Sequence, residues 1–141
     1  RIVVAIVLFS IGIEFDRIFV EAYNNLGMAY MAIGKNEEAI SILRKAIEIN
    51  PRFQKAYNNL GLAYIAMGEY TQAGLSFKKA IEIDANYAKA YQNLATVYYL
   101  EKQYALAIKY YDCAMALGYK ADPNFLKLLE PYRQVSKSFK P

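Results

Sequence analysis

Apolar and small residues recur along most of this chain at the spacing of a helix with one buried side. Tyr57, Leu60, Gly61 and Tyr64 fall at i, i+3, i+4 and i+7, which predicts one amphipathic helix. Ala73, Phe77, Ala80 and Ile81 form a second stripe, with Lys78, Lys79 and Glu82 on its polar side. Gly34 and Gly68 stand where the first stripes end, as helix C-caps and turns. Asn50-Pro51 closes the next stripe, because proline disfavours a helical residue before it.

The pattern repeats. "AYNNLG" begins at Ala22 and again at Ala56, and "AYQNLA" begins at Ala90, so the offset is constant at 34. "KAIEIN" from Lys45 returns as "KAIEID" from Lys79 and as the diverged "CAMALG" from Cys113. Residues 20–53 and 54–87 share 16 of 34 positions, and 88–121 is a third unit. Each unit predicts two helices. Small residues recur where the two must approach closely: Gly27, Gly61 and Ala95 on the first, Ala39, Ala73 and Ala107 on the second. A helical glycine costs roughly 1 kcal/mol against alanine, and close packing is the expected offset.

These units resemble tetratricopeptide repeats (TPRs), whose pattern is W-x2-L-G-x2-Y…A-x3-F…P. The first supplies Tyr23, Leu26, Gly27, Tyr30, Ala39, Leu43, Ala46 and Pro51. The second supplies Tyr57, Leu60, Gly61, Tyr64, Ala73, Phe77 and Ala80, with Ala85 in place of proline. The third supplies Tyr91, Leu94, Tyr98, Ala107, Tyr111 and Ala114, but departs at Ala95 and at Lys102, where glycine is usual. The resemblance covers residues 20–121. It implies an all-α TPR solenoid, a right-handed superhelix of antiparallel helix pairs.

The two ends lie outside those units. Residues 122–136 predict a capping helix: Asp122 is an N-cap and Pro123 a first-turn residue, and Phe125, Leu128, Leu129 and Tyr132 continue the apolar phase. Pro131 is expected to kink or end that helix, and 137–141 to be a tail. Residues 1–19 form a hydrophobic segment. Shifted by one repeat, "GIEFDRIFVEAYNNLG" falls on "AIEINPRFQKAYNNLG", so the segment fits the second helix of a diverged repeat, with Ala5, Phe9 and Gly12 at Ala39, Leu43 and Ala46. Its other face carries Val3, Val4, Val7 and Ile11 instead of polar residues. A helix apolar all round is buried or in a membrane. The apolar run from Ile2 to Ile13 spans about 18 Å, short of a ~30 Å hydrocarbon core. A partner-covered repeat helix, a truncated membrane anchor, and a signal remnant or strand are the three readings left open.

Composition narrows the chemistry. The chain is 56% hydrophobic with 14 Tyr, too apolar for a disordered segment. Its formal charge of +4 is too small for the footprint of a nucleic-acid binder, and its tyrosines fall largely at packing positions of the repeats. There is no His, which removes the commonest general base and metal ligand. Cys113 has no His to activate it, and no phosphate-loop or dinucleotide motif is present. No catalytic activity, cofactor, metal or nucleic-acid partner is expected. Cytoplasmic or membrane-associated placement is expected.

A second face of each first helix remains. Counted from Val20, Gln54 and Ala88, positions 2, 5, 6, 9, 12 and 13 fall together. They read Glu21, Asn24, Asn25, Met28, Met31 and Ala32; then Lys55, Asn58, Asn59, Leu62, Ile65 and Ala66; then Lys89, Gln92, Asn93, Thr96, Tyr99 and Leu100. The family resemblance implies that this face lines a concave groove for a peptide or partner helix. An asparagine row could hold an extended chain through its backbone, and it resembles the ladder in the TPR superhelix of O-GlcNAc transferases. The same amides could instead bond within the scaffold. The TPR domains that clamp chaperone C-terminal tails use Lys and Asn at five positions. Only Asn59 and Lys89 match them here, because Asn24, Met28 and Asn93 depart. No specific recognition of such tails is expected. The expected function is a non-catalytic protein-interaction module. The alternatives are a self-associating or membrane-anchored scaffold acting through residues 1–19, or a targeting arm of a larger enzyme.

Overall fold

The computed structural model describes residues 1–138. Among them it contains seven helices: α1 (Ile2–Ala32), α2 (Asn36–Ile49), α3 (Gln54–Ala66), α4 (Tyr70–Ile83), α5 (Ala88–Leu100), α6 (Tyr104–Ala116) and α7 (Pro123–Ser138). The pairs α1/α2, α3/α4 and α5/α6 share the most extensive contacts, and each pair then packs on the next.

Close approach within a pair rests on glycine. A Cβ added at Gly27 would lie 2.6 Å from Leu43, and one at Gly61 would lie 2.5 Å from the Phe77 ring. On the second helices, Ala39, Ala73 and Ala107 are fully buried. The turn after each first helix uses the left-handed region, at Gly34 (φ 78°), Gly68 (φ 76°) and Lys102 (φ 61°). At each turn, that residue's amide and the next one bond back to the helix end, as in Gly68 N to Ile65 O and Glu69 N to Tyr64 O. This is the arrangement that satisfies the last helical carbonyls.

Contacts between successive units recur with the same period. The Arg44 Nη2 donates to the Tyr64 hydroxyl at 2.8 Å, and Lys78 Nζ lies 5.6 Å from the Tyr98 ring centre. At the equivalent place in α6 the sign changes. Asp112 accepts both guanidinium nitrogens of Arg133 on α7. Around it, Phe125 and Leu129 are buried, and Tyr132 stacks on Tyr104 with ring centres 3.6 Å apart. The α7 helix thus seals the last pair. The Asp122 carboxylate accepts the Asn124 amide at 2.9 Å, as an N-cap does.

Two expectations are corrected. Of the kink or end expected at Pro131, an end is ruled out, because α7 runs on to Ser138. Pro131 and Lys127, whose carbonyl loses its helical donor, are both exposed, so water can take the vacated bond. Residues 139–141 of the expected tail lie outside the described residues. At the other end, residues 2–19 do not form a separate second helix. They continue directly into 20–32 as one 31-residue helix. Arg17 stands where Pro51 breaks the chain one unit later, and it pairs with Glu14 a turn back, at 2.5 Å. No helix among the described residues is long and apolar enough to cross a membrane.

Candidate peptide-binding groove

The first helices approach one another closely, α1 with α3 and α3 with α5, whereas the backbones of α2 and α4, and of α4 and α6, do not come as near among the described residues. The inner surface of the superhelix is therefore built from α1, α3 and α5, the helices that carry the expected groove residues.

The asparagines divide in a way the repeat pattern does not reveal. The Asn59 amide donates to Asn24 Oδ1 at 2.8 Å, and the Asn93 amide donates to Asn58 Oδ1 at 2.8 Å. All four are buried. Each bond joins one first helix to the next, so these side chains form a ladder within the scaffold. Asn24 and Asn58 are closed off almost entirely, at 3% and 1% exposure. Asn25, the equivalent of Asn59 and Asn93 in the first unit, makes no such bond among the described residues and is exposed. The reason is energetic: an amide buried between packed helices costs about 1–3 kcal/mol if left unpaired, and the neighbouring amide is the nearest partner. Asn59 and Asn93 each commit one N–H to the ladder. Among the described residues their Oδ1 atoms make no bond and are not fully buried without a partner.

What remains open on the groove side is mostly apolar and basic. Met28, Lys55 and Lys89 are exposed, and Leu62, Ile65, Gln92, Thr96 and Tyr99 are half-buried. Lys55 and Lys89 make no ion pair among the described residues. Their register places them at the start of α3 and α5, one repeat apart. Gln92 and Thr96 bond to each other within α5, at 3.2 Å. The Tyr99 ring meets Tyr104 and Phe125 edge-on, with centres 5.5 and 5.8 Å apart, so α7 takes up part of its surface. Among the described residues no group of three or more His, Cys, Asp or Glu could hold a metal ion. Cys113 is half-buried and unbridged.

Three models of one repeat family match consecutive stretches: TPR repeat at 27–68, and tetratricopeptide repeat at 55–87 and at 76–109. The chain belongs to the tetratricopeptide repeat family. Solved TPR structures agree. MamA matches at 35% identity with a TM-score of 0.67, over 70% of this chain and 57% of its own. The present chain thus spans little more than half of that relative. The first TPR domain of human RPAP3 matches at 19% identity with a TM-score of 0.78, over 86% of this chain and 98% of its own. The second TPR of Spaghetti (RPAP3), bound to the HSP90 peptide SRMEEVD, matches at 21% with a TM-score of 0.69, over 74% and 98%. Comparison with curated proteins finds no match.

Proposed function

We propose that this TPR chain is a non-catalytic interaction module that holds a peptide segment or partner helix on the surface of α1, α3 and α5. The observation that carries this is the split of the inner face. The asparagine ladder stiffens the scaffold, while Met28, Leu62 and Ile65 stay partly open beside two lysines that make no ion pair. Apolar side chains give contact area without demanding one sequence, and Met28 adapts to varied shapes. Lys55 and Lys89 favour a ligand with acidic groups about one repeat apart. TPR relatives of the same fold hold the acidic peptide SRMEEVD, which supports a peptide ligand. The departures at Asn24, Met28 and Asn93 argue against that particular tail.

The test is peptide display selected on the whole chain, followed by calorimetry of the selected peptides. Lys55→Glu with Lys89→Glu, and separately Leu62→Glu, are expected to weaken binding by about tenfold or more. Unchanged affinity in both variants would remove the groove from the reading. Micromolar binding of SRMEEVD with a free C-terminus would overturn the exclusion of chaperone tails.

A further inference from the structure

Helix α1 has another open face, on the side opposite Val20, Asn24 and Gly27 and away from the groove. The repeat register shows what such a face does. Ala56, Leu60 and Ala63 of α3, and Ala90, Leu94 and Val97 of α5, are buried where α2 and α4 pack on them. Their equivalents one unit earlier, Ala22, Leu26 and Ala29, are exposed. Leu26 is 42% exposed, against 7% for Leu60 and 0% for Leu94. This is a helix-covered surface whose cover is missing.

The face does not stop at Ala22. Steps of three and four residues lead on through Ile18, Phe15, Ile11 and Leu8 to Val4, and in the other direction to Ile33, all exposed. Between Val4 and Ile33 the steps average about 3.6, which is the α-helical period. The stripe therefore runs straight along one side for about 44 Å. Glu14, Asp16, Arg17 and Glu21 all lie off it by their spacing.

Apart from its centre, where Ile18 exchanges with the flanking Phe19, the stripe is also a palindrome of positions. Turned end for end about the midpoint between Ile18 and Phe19, it exchanges Val4 with Ile33, Ile11 with Leu26, Leu8 with Ala29 and Phe15 with Ala22. The two largest differences in size fall opposite each other: Phe15 and Leu8 are knobs, Ala22 and Ala29 are sockets. A parallel pairing would set Phe15 on Phe15 and Ala22 on Ala22, jamming one layer and hollowing the other, which close-packed interiors do not tolerate. A two-fold interface uses one self-complementary patch on both partners.

We infer that the occupant is a second copy of this chain, with the two α1 helices packed antiparallel along this stripe and Phe15 of each seated at Ala22 of the other. A second helix from a preceding repeat would cover only Ala22 to Ala29 and leave Val4 to Phe15 bare. Lipid has no use for matched knobs and sockets. The exposed area of the stripe is on the order of several hundred Å² per chain, the scale of the roughly 800 Å² per partner in a stable interface. The groove faces a different side of α1 and stays open in the dimer.

The full chain is tested by light scattering in detergent-free buffer, where twice the chain mass is expected. Ile11→Glu and Leu26→Lys are each expected to give monomers with unchanged helicity. Mixing the two is expected to restore the dimer, because residue 11 of one copy meets residue 26 of the other. Orientation is read in a Cys113→Ser background: Ile18→Cys, near the two-fold, is expected to form a disulfide-linked dimer, and Val4→Cys is not. Four outcomes would overturn the proposal: a monomeric wild type, a dimer that survives both charged variants, no rescue on mixing, or cross-linking through Val4→Cys. A chain that is monomeric in buffer but floats with phosphatidylcholine vesicles would assign the stripe to lipid and overturn it equally.

Discussion

Asn59 donates its amide to Asn24 across two first helices at 2.8 Å, and one repeat later Asn93 does the same to Asn58. The row of amides is thus a series of bonds between repeats, each joining position 5 of one unit to position 6 of the next. A repeat array is stabilised by its nearest-neighbour interfaces, and here a polar bond inside each interface also sets the register of one helix on the next.

The cost of breaking a rung follows from burial. Asn58→Ala leaves the buried Asn93 donor without its acceptor, an expected loss of about 1–3 kcal/mol. Asn25→Ala removes an exposed amide with no bond and is expected to change stability by less than ~0.5 kcal/mol. Urea unfolding followed by circular dichroism separates the two. Equal midpoints would show that the ladder adds nothing to the interface.

The glycines of α3 and α4 are expected to respond in opposite directions. Alanine in a helix gains roughly 1 kcal/mol over glycine where there is room. At Gly74 the nearest atom to a new Cβ is 3.7 Å away, ordinary contact, so Gly74→Ala is expected to raise the melting temperature. At Gly61 the new Cβ would stand 2.5 Å from the Phe77 ring. Overpacking of this kind typically costs about 1–3 kcal/mol, which outweighs the helix gain. The third repeat carries Ala95 at the same position, with Tyr111 in place of the Phe77 ring, so the pair can adapt when both sides change. Gly61→Ala is therefore expected to fall at the lower end of that range. A Gly61→Ala protein more stable than wild type would refute the close-packing argument.

The helix pairs are legible in the sequence because their cause is periodic. Tyr, Leu, Gly and Tyr at fixed spacing mark a packing face, and its regular recurrence marks the copies. The ladder is not legible because its partners lie one position further apart than the repeat. Aligning equivalents sets Asn24 beside Asn58 and hides its bond to Asn59. The straight α1 is hidden for a related reason. "GIEFDRIF" matches "AIEINPRF" in apolar pattern, but the match omits Pro51, the one residue there that cannot continue a helix. Pro131 misleads in the opposite direction: α7 runs on past it, and Lys127, whose carbonyl loses its helical donor, is exposed, so water can take that bond.

Lys102 offers a test of backbone strain alone. It holds φ 61° where Gly34 and Gly68 hold φ 78° and 76°. A non-glycine residue in that region costs roughly 1–2 kcal/mol, and glycine's extra freedom in the unfolded chain returns part of the gain. Lys102 is exposed, so little packing is lost. Lys102→Gly is expected to stabilise the third repeat by up to about 1 kcal/mol, read as a higher urea midpoint with unchanged slope. A lower midpoint would mean that the lysine side chain contributes more than its backbone costs.

The last expectation concerns alkaline pH. Desolvation raises the Tyr87, Tyr91 and Tyr119 hydroxyls above their ordinary value, and hydrogen bonding with Tyr104 raises Tyr132. For Tyr87 the charge of Asp84 adds to the effect. In each case the neutral hydroxyl is favoured by the folded state. A group whose folded pKa lies above its unfolded one contributes stability that is complete below the unfolded value, about 10 for tyrosine. That contribution is lost as pH rises through the folded value. Stability is therefore expected to hold to about pH 9 and to decline once the pH passes about 10. Tyr87, Tyr91 and Tyr119 sit at the joins of the last two repeats and the cap, so the loss should begin there. Urea midpoints at pH 9 and pH 11 measure the slope, and Tyr87→Phe should flatten it. A midpoint that rises between those values would contradict the sign of all four shifts.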